Sequence, residues 1–264
     1  MHIVKREMRA HLKSLLIWSA VMLGLIAMIM VEFKAYYNNP EMSDVLNMMP
    51  EAMLKAFSME NANLTTLGGF VSLISFYLFV MGGVYAVLLG SNIISKEERD
   101  KTAEFFMTLP ISRTQIITSK LVAAILNSFL LVLATGLSIV ITSWKYSPDR
   151  DFYRFLALYL IAMFILCLIF LSVGMLLSSV LKRYKSSGKI SAAILFVLYM
   201  INIVSALSKN LDFLKYITPF KYFDTNAMLI QGEIDIVYVL ISFAIIAFCI
   251  AGTYVVYPKR DLHI

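Results

Sequence analysis

Six apolar runs, each with about 20 residues free of charge, constrain this chain more than any other feature. They fall at roughly 15–32, 67–94, 117–143, 155–181, 190–207 and 235–257. Hydrocarbon offers backbone amides no partners, so such runs must satisfy their hydrogen bonds internally, as helices. A β-barrel would need alternation over about ten residues, and these runs do not alternate. The chain is 60% hydrophobic and 15% charged, with a mean hydropathy of +0.79. A soluble domain of 264 residues needs more charged surface than that. The expected class is therefore an all-α polytopic membrane protein forming one domain over 1–264, with no internal repeat.

Charge placement orients the spans. Fifteen Lys and Arg lie on one side: Lys5, Arg6, Arg9, Lys13, Lys96, Arg99, Lys101, Arg113, Lys120, Lys182, Arg183, Lys185, Lys189, Lys259 and Arg260. Eight lie on the other, between Lys34 and Lys221. Cytoplasmic loops carry the excess, so both termini are expected in the cytoplasm, and the net charge of +6 reports topology rather than nucleic-acid binding. The basic start and first apolar run resemble a secretory signal, but no small-residue cleavage site follows Met30, so an uncleaved span is expected. Cys167 and Cys249 both fall inside apolar runs, which points to inert buried thiols.

The middles of the spans lack Asp, Glu, Lys, Arg and His. Ion-coupled transporters usually place such groups at depth, so their absence argues against a self-powered secondary transporter. Asn127 and Asn202 supply polarity there, and interhelical hydrogen bonding is the expected use. Gly68 with Ser72, and Gly82 with Ala86, have the four-residue spacing that permits close helix approach. No catalytic constellation appears. His2, His11 and His263 do not form a zinc motif, and Gly188-Lys189 is followed by Ile190 rather than Ser or Thr. No cofactor or metal is expected on this chain, and ATP with its magnesium would have to be bound by another polypeptide.

The segment 95–116 is a charged insert between the second and third runs. Ser95 is placed to cap a helix, with Glu97 and Glu98 in its first turn. Phe105, Phe106 and Leu109 form an apolar cluster at helical spacing, and Pro110 disfavours helix at Leu109. Such an element suits docking into a partner's groove, and equally an interfacial helix on lipid headgroups. The Met-rich stretch 41–60 reads as an amphipathic helix rather than a copper site, because no histidine or cysteine accompanies it.

The order Glu97, Glu98, Thr102, Glu104, Phe105, Phe106, Leu109, Pro110, Ser112, Arg113, Lys120, Leu121 resembles the cytoplasmic loop of ABC-2 type permeases. Lys101 and Ser119 stand where many members carry glycine. The segments Ile217–Phe223 and Tyr257–Leu262 are similar to those flanking the last span in that family. The resemblance implies the ABC-2 (type V) exporter fold. It implies an N-terminal interfacial helix over 1–14, a cytoplasmic coupling helix between spans 2 and 3, and an extracellular or re-entrant segment over 208–234. Further implications are a cytoplasmic ABC ATPase partner, a second permease copy, and export of a hydrophobic or peptide cargo across a bacterial cell membrane. On this reading Phe105 and Phe106 anchor the ATPase, with Glu97, Glu98, Glu104 and Arg113 at the rim. Lys182, Arg183 and Lys185 form either a second contact or a plain positive-inside loop. Other readings are a self-contained channel or secondary transporter, or a non-transporting partner of an ATPase in stress sensing or copper-enzyme maturation.

Overall fold

The computed structural model describes residues 2–37, 39, 48, 63–99, 112–181, 184–207 and 209–259. These form α1 (His2–Tyr36), α2 (Leu67–Arg99), α3 (Arg113–Ser143), α4 (Arg150–Val180), α5 (Tyr184–Leu207), α6 (Thr225–Gln231) and α7 (Ile236–Val256), joined by short 3-10 turns. The protein is all-helical among the described residues, and six of its helices, all but α6, are long and apolar enough to cross a membrane. Each expected run falls within one of the six, apart from an end residue or two.

Local chemistry sets the helix starts. Ser112 caps α3 through the Gln115 amide, and the Gln115 side chain returns the bond to the Ser112 amide. Asp149 caps α4, Asp224 caps α6 and Asp235 caps α7 through their side-chain oxygens. Gly232 closes α6 in the left-handed region at φ 69°, which costs a glycine nothing.

Consecutive spans alternate in direction. At one end Glu7 of α1 meets Lys96 of α2, and Lys120 of α3 meets Glu97 of α2. Ser91 and Ser187 hydrogen-bond there at 2.9 Å, which brings in the start of α5. At the other end Phe33 packs on Phe70 and Tyr146. The 3-10 and α6 segment covers this second end, where the Thr225 hydroxyl donates to the Ser72 carbonyl and Arg154 to the Gly232 carbonyl. Short helical turns and α6 fill 209–231 between the last two membrane-length helices.

Helix α2 lies at the centre, against α4, α5, α3 and α1; α1 packs mainly on α3, and α7 on α4. The closest approach is between α2 and α4. A Cβ on Gly90 would strike the Leu171 carbonyl, and one on Gly174 would strike the Val87 carbonyl. The pairs expected from spacing do less: Gly82 meets only the Met163 and Cys167 side chains, and Gly68 only Leu229. Spacing within one helix does not say which neighbour lies opposite.

Two expected boundaries move. No break separates residues 1–14 from the first span, because α1 is continuous for 35 residues, about 52 Å. Nothing before Gly24 interrupts it, and Glu, Met, Ala, Leu, Lys and Arg all favour helix. Its stretch from residue 14 to 31 is free of charge and long enough to cross a bilayer, while the residues before it carry the charge. Ser95 does not start a helix either. It sits inside α2, its hydroxyl donating to the Ser91 carbonyl, and α2 runs on to Arg99. Serine satisfied by its own helix in this way needs no capping role.

Candidate functional site

Three helix ends meet around buried charge. Glu7 of α1 has no solvent exposure, nor has Lys120 of α3; Glu97 and Glu98 of α2 are also buried. The Lys120 ammonium donates to the Glu97 carboxylate at 2.7 Å and to the Ile93 carbonyl. Lys96 reaches Glu7 at 3.1 Å. Arg6 bonds Glu7 at 2.9 Å and lies 3.5 Å from Glu97, bridging α1 to α2. Glu7, Glu97 and Lys120 each have an oppositely charged neighbour, the condition under which burial is tolerated.

Helical geometry explains why these residues converge. Glu7 and His11 stand one turn apart on the face of α1 that also carries Leu15 and Met22 into the core. Two turns beyond Lys120, Asn127 of α3 donates to the Ala123 carbonyl and contacts the Met8 sulfur of α1 at 3.0 Å. That is the interhelical use expected of a buried amide. The polar seam between α1 and α3 therefore runs from the ion pairs toward the bilayer.

Glu7 and His11 both precede the uncharged stretch of α1. Burial alone would raise the Glu7 carboxyl, but Lys120, Arg6 and Lys96 outweigh it and hold the group below its ordinary value. Burial, partly countered by Glu7 and reinforced by Lys96, Lys120 and Arg99, pushes the His11 imidazole down to about 4. His11 is thus neutral at physiological pH, and its Nε2 is buried without a hydrogen-bond partner among the described residues.

The expected site residues divide. Glu97 and Glu98 are both buried in the isolated chain, and Glu97 turns onto Lys120, because a cation without exposure on α3 requires a buried anion. Arg113, half-buried, donates from Nη1 to the Pro258 carbonyl at 2.7 Å, tying the start of α3 to the end of α7. Thr118 and Tyr254 hydroxyls, 2.6 Å apart, support the same junction. Thr102, Glu104, Phe105, Phe106, Leu109 and Pro110 lie outside the described residues, as do Lys182 and Arg183, the Lys185 side chain and most of 41–60. Sequence reasoning assigned Arg6 and Lys96 to topology, placed Lys120 in the loop motif without a partner, and passed over Glu7. One signal was available: Glu7 is the only carboxylate before Glu32, set among four cations.

Six membrane-length helices, with ion-paired ends beside the segment 100–111, define a multi-pass helical membrane protein. The family model described as ABC-2 family transporter protein matches residues 1–262, and the chain belongs to that family, a membrane component of transporters. A search of curated proteins gave no match.

Proposed function

We propose that this chain is the permease subunit of an ATP-driven exporter, working as a dimer with two copies of a separate cytoplasmic ABC ATPase. The observation that carries this reading is the buried ion-pair clamp. Glu97 and Lys120 bracket the segment 100–111 in sequence and are joined to each other at 2.7 Å. Thr102, Glu104, Phe105, Phe106, Leu109 and Pro110, the positions matching the family's ATPase-engaging loop, all fall in that segment. A push on such a loop meets α2 and α3 already locked together, and α1 locked to both through Glu7 and Arg6. The three helices then move as one body, the kind of rigid displacement that converts closure of the ATPases into altered access across the membrane.

In this arrangement ATP and magnesium stay on the partner, both termini lie in the cytoplasm of a bacterial cell, and Lys182, Arg183 and Lys185 add a second contact. The cargo is amphipathic or apolar, a peptide or a lipid-like drug, because the span middles offer aromatic and aliphatic surface without charge. The test replaces Phe105 and Phe106 by Ala in the full chain and measures ATPase co-purification and stimulated hydrolysis. Loss of both is expected, and unchanged binding and turnover would overturn the assignment.

A further inference from the structure

The first 13 residues of α1 carry four cations, and among the described residues only one pairs with a carboxylate. Arg6 turns toward Glu7 and Glu97. Lys5, Arg9 and Lys13 recur every fourth residue on the side of α1 turned away from its buried Glu7, His11, Leu15 and Met22 face, each exposed and each without a carboxylate partner among the described residues. Steps of four residues drift only about 40° around a helix and rise about 6 Å, so the three cations form one stripe about 12 Å long. The same face continues as exposed apolar side chains: Leu12 at 47% exposure, Leu16 at 60%, Leu23 at 50% and Val31 at 70%.

A ligand matching this face has an anionic head of some length and apolar tails running along the helix into the bilayer. We propose that the outer face of α1 is a binding site for an anionic phospholipid, its head group held by Lys5, Arg9 and Lys13 and its acyl chains lying along Leu12, Leu16 and Leu23. The long stems of Lys and Arg let their charges reach a phosphate while covering apolar surface. A second copy of this chain meeting the same face across a two-fold axis would set unpaired cations against each other, which disfavours a dimer contact there. The inference does not depend on the transport reading, since it rests on one helix face and its charge.

The experiment uses the full chain purified in mixed micelles of phosphatidylglycerol and phosphatidylcholine, with retained lipid counted by native mass spectrometry. Wild type is expected to retain phosphatidylglycerol in preference to phosphatidylcholine. Each single change, Lys5→Gln, Arg9→Gln or Lys13→Gln, is expected to weaken retention about fivefold, the effect of one basic residue close to an anionic surface. The charge-preserving pair Lys5→Arg with Lys13→Arg keeps it, and so does Lys145→Gln at the opposite end. Equal retention of the two lipids by wild type, or unchanged phosphatidylglycerol retention in all three Gln variants, would overturn the site. Loss of ATPase co-purification with lipid retention intact would overturn it too, marking the stripe as a protein-docking surface.

Discussion

Lys120 is the residue on which most of the buried charge depends. It pairs with Glu97 and lies close enough to lower the Glu7 pKa, so Lys120→Met strips Glu97 of its buried partner and leaves it the longer 3.5 Å contact with Arg6. The expected cost is about 3 kcal/mol, read as a lower thermal midpoint in detergent, because a buried charge stripped of its close partner retains its desolvation penalty. Adding Glu97→Met to that variant is expected to recover much of the loss, and a double variant no better than Lys120→Met would dissociate the two residues energetically. The same cluster sets a pH dependence. The unfolded imidazole of His11 binds a proton near 6.5, the folded one only near about 4, so the unfolded state gains protons first and stability falls as pH drops through that window. Glu7 acts in the same direction at lower pH: its depressed folded value means that stability present above 4.5 is lost on acidification. Midpoints measured from pH 7.5 to 4.5 should therefore decline, and His11→Gln should flatten the upper part of that decline. A curve identical to wild type would show that His11 does not titrate against the fold.

Between elements, the tightest junction is the one joining α2 and α4, where Gly90 and Gly174 let two backbones approach. Gly90→Ala and Gly174→Ala each place a methyl group against a carbonyl that cannot rotate away, and a cost of about 1–3 kcal/mol is expected for each. Gly24→Ala is the control of opposite sign. Its Cβ would meet nothing within 4 Å, and alanine is the better helix former, so it should leave the midpoint unchanged or raise it. If all three variants behave alike, the α2–α4 approach is not what the glycines serve. This junction also shows where sequence reasoning stops. The existence of six helices was legible because bilayer thickness writes itself into composition along the chain, one span at a time. The partner of a given glycine is decided by the register of two helices about 80 residues apart, and Gly90 carries no local mark of it. The ion clamp was hidden for the same reason. Lys96, Glu97 and Lys120 looked like loop charges because solvent is the ordinary partner of charge near a helix end, and only packing shows that they face one another. Asn127 was legible in kind, since an amide at depth must find a partner, but Met8 as its contact was not.

For the whole molecule, alternation of the spans gathers the start of α1, the ends of α2 and α7, and the starts of α3 and α5 at one end. Ten of the fifteen cations named from sequence lie at that end among the described residues: Lys5, Arg6, Arg9, Lys13, Lys96, Arg99, Arg113, Lys120, Lys189 and Lys259. Across a membrane such a gathering of cations fixes insertion, because short basic loops stay on the cytoplasmic side. The proposed ATPase coupling needs this orientation, since the clamp and the segment 100–111 must face the compartment that supplies ATP. Single cysteines test it directly. Native Cys167 and Cys249 are buried, so a membrane-impermeant maleimide should leave the wild-type chain unlabelled. Trp144→Cys and Glu233→Cys sit at the end opposite the clamp on exposed positions and should label in intact cells. Lys189→Cys, exposed at the start of α5, should label only after the membrane is permeabilised. The reverse pattern would put the clamp outside, where no ATPase could reach it, and would remove the exporter reading together with the orientation. Labelling of all three sites in intact cells would instead mean that the basic end does not control insertion.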